Sequence, residues 1–382
     1  MERSRLGACV HPCPVPLASP APLCPSARAL LSGDSVAAML IALALDAMIG
    51  WPDSVYLRIG HPVTWLGRLI DLGDRDLNRE DASSLSRRTA GAICACLTIG
   101  VATSAGLIAA KLLPGGWIGS VLTGALAWPL VAAHSLNDHV AAVAKPLADG
   151  DLSGARRAVS MIVGRNPDLL DEAGIARAAA ESLAENTSDG VIAPLFWGAL
   201  FGLPGIAAYK AINTLDSMIG HRTPRHEAFG WAAARIDDVA NLAPARMTGL
   251  MFALVSRRPL IALRTIWRDA RFHRSPNAGW PEAAFAGALD IRLSGPRAYA
   301  DRVANEPWLN GDAPDPQARD LLHGLALYRR MLAALAVVMA AIAVLSGHHD
   351  PHSGEPPDCA ASRPSITHCA GHTRLADETQ GS

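Results

Sequence analysis

Charged side chains are scarce in this chain of 382 residues. They make up 18% of the residues, whereas 50% are apolar, and a soluble globular domain has about 25% charged residues. The formal net charge is −1, so no overall basic field points to nucleic acid as a partner. Only three of the 34 basic residues are lysines: Lys111, Lys145 and Lys210. The composition excludes a disordered chain and favours a membrane protein over an ordinary soluble enzyme.

Signatures of several common sites are also missing. The chain has no GxxxxGK[ST] loop for phosphates, no HExxH zinc helix and no GxSxG turn for a nucleophilic serine. Its seven cysteines include no CxxC pair, so a zinc ribbon or a dithiol site has no support. Cys359 and Cys369, near the end of the chain, can form a disulfide only if that end faces an oxidising compartment. Any chemistry must therefore come from residues outside these signatures.

Long apolar runs are what the sequence does have. Residues 90–110 and 112–133 contain no charged side chain, and each run is long enough to cross about 30 Å of hydrocarbon as a helix. Three further apolar runs are 36–51, 242–256 and 331–347. The first of them carries one charge, Asp46. A single run can be a buried core helix, but two adjacent runs indicate membrane passage. We predict an all-α, polytopic integral membrane protein with about four to six apolar helical segments.

The basic residues gather in the loops between these runs. The richest loops are 52–88, 134–190 and 257–330. By the positive-inside rule, we expect these arginine-rich loops to face the cytoplasm.

The two ends of the chain differ from the middle. Residues 1–34 are rich in proline, which cannot continue a helix, and we predict a disordered leader. Residues 348–382 hold five of the 13 histidines and are predicted to be a disordered tail, with metal binding as the alternative. The membrane-embedded domain is expected to occupy residues 35–347.

Polar residues concentrate on both sides of the uncharged run 191–208. Before it, Glu181 and Glu185 lie one helical turn apart on a predicted helix, and Asn186 and Asp189 stand at its end. Two like charges at this spacing repel unless a cation lies between them, and carboxylate pairs suit Mg²⁺ with a phosphorylated substrate. A solvated acidic face is the alternative.

After the run, Asn213 and Asp216 lie on one predicted helical stripe beside Lys210. A lysine that directly follows an uncharged run either snorkels towards solvent or contacts a phosphate. Arg235, with Asp237 and Asp238, comes soon afterwards. Ionisable groups this close to membrane segments are candidates for function.

A later loop presents a second group of polar residues. Two prolines and a glycine around Asn277 and Glu282 specify a rigid turn that displays both side chains. Arg271 belongs to the basic stretch just before it. Such a stretch fits an anionic ligand or a surface that lies on acidic lipid headgroups.

Four of these segments together resemble the motifs of the CobD/CbiB cobalamin-biosynthesis family, in the same order and spacing. They are AESLAENTSDGVIAPLF (180–196), YKAINTLDSMIGHR (209–222), FGWAAARIDDVANLAPAR (229–246) and SPNAGWPEAAFAGAL (275–289). HPVTWLGRLI (61–70) and IVGR (162–165) look like further signatures of that family. The resemblance covers roughly residues 37–345, so nothing carries over to the two ends.

This resemblance implies a multi-pass enzyme of the bacterial inner membrane, adenosylcobinamide-phosphate synthase. The family joins (R)-1-aminopropan-2-ol, or its O-phosphate, to a propionate side chain of adenosylcobyric acid, with ATP hydrolysis. The implied partners are these substrates, ATP with Mg²⁺, the lipid bilayer and other enzymes of corrinoid assembly. A transporter or a non-catalytic scaffold of corrinoid assembly are the alternatives. The sequence decides neither whether the amine arrives phosphorylated nor which oligomer forms.

The residue roles are our own hypothesis, because the resemblance supplies none. An acyl phosphate route needs metal ligands, a phosphate clamp and a base for the ammonium. The predicted catalytic residues are Glu181, Glu185, Asp189, Lys210 and Arg235. The predicted metal ligands are Glu181, Glu185, Asp216, Asp237 and Asp238. The predicted substrate-binding residues are Asn186, Asn213, Asn277, Glu282 and Arg271.

One site needs both polar groups on the same side of the membrane. If residues 191–208 simply crossed the bilayer, Asp189 and Lys210 would lie on opposite faces. Two prolines and three glycines interrupt this run, and broken backbone is tolerated where it lines protein or a cavity. We therefore predict that 191–208 is re-entrant, and that single cysteines at Ser188 and Ser217 label from the same side.

Overall fold

The computed structural model describes residues 32–163, 168, 170–298, 303–304 and 306–347. Most of the predicted leader and the whole predicted tail therefore lie outside the described residues, and their disorder stays a prediction. The first helix, α1, begins at Gly33 and is capped by the side chain of Ser32, which accepts a hydrogen bond from the backbone N–H of Ser35.

Helices make up nearly all of the described structure. In chain order they are α1 (Gly33–Ile49), α2 (Asp53–Ile59), α3 (Pro62–Leu77), α4 (Ser84–Leu112), α5 (Gly116–Ala127), α6 (Ala133–Ala148), α7 (Leu152–Val159), α8 (Glu172–Thr187), α9 (Ala193–Ile219), α10 (Trp231–Ala240), α11 (Leu242–Val255), α12 (Pro259–Asp269), α13 (Gly279–Leu289) and α14 (Ala318–Gly347). One turn of π-helix, Ser188–Ile192, joins α8 to α9. Four two-residue strands form antiparallel pairs: β1 (Leu293–Ser294) with β4 (Trp308–Leu309), and β2 (Arg297–Ala298) with β3 (Val303–Ala304).

Several helical segments are long and apolar enough to cross a membrane. In the described part of the chain they are Ser84–Leu112, Gly116–Ala148, Glu172–Ile219 and Ala318–Ser346. A bent pair, Gly33–Ile49 with Ser54–Leu77, would make a fifth span. These helices confirm the prediction of an all-α polytopic membrane protein. The side of the membrane on which each loop lies stays a prediction.

Helix α8 occupies the middle of the core. It is buried along most of its length, and small side chains such as Ala176, Ala180 and Ala184 allow α6 and α13 to pack closely against it. The residues at its C-terminal end are therefore held on a rigid support.

Helix α9 reverses direction instead of running straight. Gly202 has φ +65° and ψ −150°, a conformation that glycine adopts far more readily than other residues. The hydroxyl of Tyr209 lies 3.2 Å from the carbonyl oxygen of Asp189, although 20 residues separate them. Twenty residues of continuous helix would span about 30 Å. The chain therefore forms a hairpin of two legs, 193–201 and 203–219, as the sequence predicted for this run.

One glycine of α4, Gly106, lets this helix pack against the hairpin. A Cβ atom at Gly106 would lie 2.8 Å from the carbonyl oxygen of Leu203, just after the turn. Helix α4 can therefore approach the tip of the hairpin only because position 106 has no side chain.

Candidate active site

Two adjoining cavities open beside the hairpin. The smaller has a volume of about 460 Å³ and lies between α6, α8 and the second leg of α9. The larger, about 750 Å³, extends towards α1, α2 and the start of α3. Both are lined by Ser135, His139 and Lys210, so Lys210 stands at the boundary between them.

Lys210 is a buried cation, with only 8% of its surface exposed. Within the described structure it forms no ion pair within 4.0 Å, but it interacts electrostatically with Asp46 and Asp189. A snorkelling lysine would reach bulk solvent, whereas this one ends at a cavity wall. Its ammonium is therefore placed to bind an anionic group.

A hydrogen-bond network ties the π-helical turn to α10. The Tyr209 hydroxyl donates to Oδ1 of Asn241 (2.8 Å), and the Asn241 amide donates to Oδ2 of Asp237 (3.0 Å). The same hydroxyl contacts the carbonyl of Asp189 in the π turn. Single π turns inside helices often occur at functional sites. The network fixes the backbone of Asp189 and the carboxylate of Asp237 relative to Tyr209, the residue before Lys210.

The carboxylates around this network repel one another. Burial raises the pKa of Asp237 to about 9, and nearby Asp189 and Asp216 act in the same direction. Oδ1 of Asp237 is buried and has no hydrogen-bond partner in the described structure. Asp238 also interacts with Asp216, and Glu185 with Asp189. A bound cation would remove much of this repulsion.

The acidic group suits a metal ion that arrives with a nucleotide. Within the described residues, no three His, Cys, Asp or Glu side chains are placed to hold a metal ion by themselves. Mg²⁺ in nucleotide sites commonly takes only one or two protein carboxylates, with phosphate oxygens and water as its other ligands. Asp189 and Asp237 fit that arrangement.

Sequence comparisons give the family. A family profile described as "CobD/Cbib protein" matches residues 39–328. The chain belongs to the CobD/CbiB family. It is 62% identical to "Cobalamin biosynthesis protein CobD" of Rhodobacter capsulatus over 309 residues, which cover 81% of this chain and 98% of the relative. Proteins of the same name from Brucella suis (48% identity, 75% of this chain and 90% of the relative) and Rhizobium meliloti (42%, 83% and 96%) are also similar. No solved structure matches the chain.

The CobD/CbiB motifs bring most of the predicted residues together. The motif at 180–196 supplies Asn186 to the smaller cavity, and the motif at 209–222 supplies Lys210 and Asn213 to it. The third motif, 229–246, adds Asp237 and Asp238 to the acidic group. Ile162 and Val163 of the IVGR signature also line the smaller cavity, whereas Gly164 and Arg165 lie outside the described residues.

Glu181 stands apart from this group. It is 4% exposed, and its Oε1 accepts a hydrogen bond from the backbone N–H of Ser294 at 2.8 Å. Glu185, one turn later, is exposed. We therefore reassign Glu181 to holding strand β1 against α8, because its carboxylate already binds a backbone amide.

The fourth motif also serves the fold rather than the cavities. The Asn277 amide donates to the carbonyl of Asp238 (2.7 Å), and its Oδ1 accepts from the guanidinium of Arg246 (2.7 Å). Glu282 lies 3.6 Å from Nε2 of His273, and both side chains are almost fully buried. These contacts anchor the loop after α12 to α10 and α11, which positions Asp238 indirectly.

The two predicted arginines are on the surface. Arg235 is exposed and forms an ion pair with Asp238 at 3.0 Å. It lies two positions before Asp237, which on a helix places the two side chains on nearly opposite faces. Arg271 is exposed and its guanidinium lies over the ring of Phe272. Neither arginine lines the two cavities.

Sequence reasoning missed three residues that line the larger cavity: Asp46, His61 and His139. Oδ2 of Asp46 accepts hydrogen bonds from the backbone N–H groups of Ala133 (2.5 Å) and His134 (3.0 Å). The available signal was that Asp46 is the single charge in its apolar run, since a charge in such a run needs a partner. His61 opens one of the family signatures, but nothing local showed what it faces.

Proposed function

We propose that this chain is an adenosylcobinamide-phosphate synthase of the bacterial inner membrane. It would join aminopropanol, or its O-phosphate, to a propionate carboxylate of adenosylcobyric acid in an ATP-dependent amide ligation. The family and the names of the relatives support a role in cobalamin biosynthesis. The observation that carries the finer proposal is Lys210, a buried cation at the boundary of two cavities, beside a group of carboxylates that repel one another.

The reaction needs an activated carboxylate, because a carboxylate does not condense with an amine unaided. In the proposed route, a propionate oxygen attacks the γ-phosphorus of ATP, the bond to ADP breaks and an acyl phosphate forms. The amine nitrogen then attacks the acyl carbon, inorganic phosphate leaves and the nitrogen loses a proton to a base. Both steps develop negative charge on phosphoryl oxygens, which the Lys210 ammonium is placed to stabilise.

The carboxylates would take two tasks. When bound, Mg²⁺ neutralises the charge of the nucleotide phosphates, and Asp189 and Asp237, with Asp216 nearby, are the residues that would hold it. Glu185 is the remaining candidate for the base, since Glu181 already binds the amide of Ser294. Asn186 and Asn213 line the smaller cavity and can orient the substrate through their amides.

The test is a reconstitution of the purified full chain in nanodiscs with adenosylcobyric acid, ATP and each amine. We expect amide product and ADP in equal amounts. Lys210→Ala and Glu185→Gln should lose activity while the protein stays folded. Lys145→Ala is the matched control, because Lys145 is an exposed lysine on α6 outside both cavities.

Full activity in both site variants would contradict the proposed roles of Lys210 and Glu185. If the wild type does not consume ATP when the substrates are added, the proposed ligase activity is wrong. A transporter or a scaffold would then explain the protein better.

The re-entrant topology has its own test. Ser188 is 1% exposed, so a cysteine there would be shielded, and Asn186, which is exposed, is the better partner for Ser217. Single cysteines at 186 and 217 should react with an impermeant maleimide from the same side. Reaction from opposite sides would show that the segment crosses the bilayer.

A further inference from the structure

Asp46 is a buried carboxylate that the proposed chemistry leaves without a task. It is 4% exposed, in the last turn of the apolar helix α1, and it lines the larger cavity. Its Oδ2 caps the start of α6 through two backbone N–H groups. Those amides, at a helix N-terminus, fix the carboxylate in position.

Lys210 lines the same cavity with the opposite charge. The two groups interact electrostatically, yet no ion pair within 4.0 Å joins them. Asp46 is held in place by the α6 amides, and Lys210 extends from the second leg of α9. The cavity therefore presents a fixed negative group and a positive group that is not in direct contact with it.

Aromatic and hydrogen-bonding side chains line the cavity together with the two charges. Trp51, Tyr56 and His61 line this cavity in addition to Asp46, and the rings of Trp51 and His61 meet edge to face at 5.2 Å. Aromatic rings in a cavity wall favour a bound ammonium. Ser135 and His139, which line both cavities with Lys210, supply hydrogen bonds suited to phosphate oxygens.

We propose that this cavity binds a small zwitterion, an amino-alkyl phosphate, with its ammonium at Asp46 and its phosphate at Lys210. The assignment rests on the proposed function, since it places the amine substrate of that reaction. It makes Asp46, which lies before all of the family motifs noted in the sequence, a substrate-binding residue. It also predicts that each charge of the ligand is recognised by a different residue.

The experiment measures binding to the full chain in nanodiscs by calorimetry, without ATP or corrinoid. The probes are 1-aminopropan-2-ol O-phosphate, 1-aminopropan-2-ol, which has only the ammonium, and isopropyl phosphate, which has only the phosphate. The wild type should bind the zwitterion about 10-fold or more tightly than either half, because hydrogen bonds to charged groups carry effects of that size.

Two variants assign the charges. Asp46→Asn should weaken binding of both amine-bearing probes by about 10-fold and leave isopropyl phosphate unchanged. It keeps an oxygen that can accept from the α6 amides, so the cap survives. Lys210→Met should show the opposite pattern. Asp34→Asn is the matched control, because Asp34 is an exposed aspartate of the same helix.

Three results decide the matter. Equal affinity of the wild type for the zwitterion and for its halves would overturn the proposal, even if a variant failed to fold. If Asp46→Asn binds the two amine-bearing probes as tightly as the wild type does, the proposed binding site is wrong. That result would not contradict the proposed amide synthesis. If the probes and variants bind as expected but the protein forms no amide, the binding site is supported and the proposed ligase activity is contradicted.

Discussion

Asp315 and Asp237 are both partly buried carboxylates, and their surroundings act on them in opposite ways. The guanidinium of Arg292 donates two hydrogen bonds to Asp315, Arg177 donates another, and these arginines hold the pKa of Asp315 down to about 2. Around Asp237, burial and two neighbouring carboxylates raise the pKa to about 9. Two arginines of the chain neutralise Asp315. In the described structure Asp237 has carboxylates as its charged neighbours and no such partner.

The arginine clamp also has a packing component. The guanidinium groups of Arg177 and Arg292 both lie over the ring of Trp308, at 4.8 and 4.4 Å from its centroid. This arrangement connects α8, the strands and the chain before α14 without contributing to either cavity. We propose from this difference that the paired charges maintain the fold and that the unpaired carboxylates belong to the site.

The largest effect is expected at the unbalanced charge. Asp189→Asn should reduce the rate of amide formation by about 100- to 1,000-fold, as loss of a group that stabilises charge in the transition state does in other enzymes. Asp315→Asn should change the same rate by less than about threefold, because Asp315 is paired with Arg177 and Arg292, away from Lys210 and the acidic group. Equal losses of activity in the two variants would contradict the different roles proposed for the two carboxylates.

The second effect is on stability as a function of pH. Because the pKa of Asp237 is higher in the folded chain than its ordinary value of 3.8, the folded state binds more protons between these values. The contribution of Asp237 to the stability of the folded chain is therefore fully present below about pH 4 and is lost as the pH rises towards 9. Thermal unfolding in detergent should show that Asp237→Asn is more stable than the wild type at pH 8 and no more stable at pH 4. An unchanged difference across this range would contradict the raised pKa.

The third effect is a stability that changes with pH in the opposite direction. Asp315 has a lowered pKa, so its contribution is present above about pH 4 and is lost as the pH falls through about 2. Asp315→Asn should lower stability at pH 7 by about 1 kcal/mol, a value kept small because a third of the side chain is exposed to solvent. The melting temperature should fall by about 2–4 °C, and Asp312→Asn, at an exposed aspartate on the same loop, should leave it unchanged.

The smallest effect is expected at Glu181, the first of the two glutamates of α8. Glu181→Gln keeps an oxygen that can accept from the Ser294 amide, so activity should stay within about threefold of the wild type. Glu185→Gln should lose most activity if Glu185 is the base. A large loss in Glu181→Gln, with stability unchanged, would return Glu181 to the catalytic group.

The sequence predicted those parts of the molecule that depend on local pattern. The uncharged runs at 90–110 and 112–133 became α4 and the α5–α6 region. Prolines and glycines in 191–208 predicted the hairpin, because they interrupt the run at intervals too short for one straight helix. Lys210 and Asp189 could be placed together only through that hairpin.

The remaining site depends on contacts between distant segments. Asp46 meets the start of α6, 87 residues away in the chain, and no periodicity shows such a pairing. For Glu181 and Asn277, spacing indicated that the side chains are displayed but not what they meet. Both contact backbone groups of other elements, and we therefore propose that they support the fold.

The reversal at Gly202 has a consequence for how the protein enters the bilayer. In the predicted re-entrant topology, a segment that turns back at one glycine enters and leaves the hydrocarbon by the same face. Neither Asp189 nor Lys210 would then be carried through the low-dielectric interior during synthesis, a transfer that costs several kcal/mol for each charge (about 3 on insertion scales). That topology would let the chain place opposite charges beside membrane helices without translocating either of them.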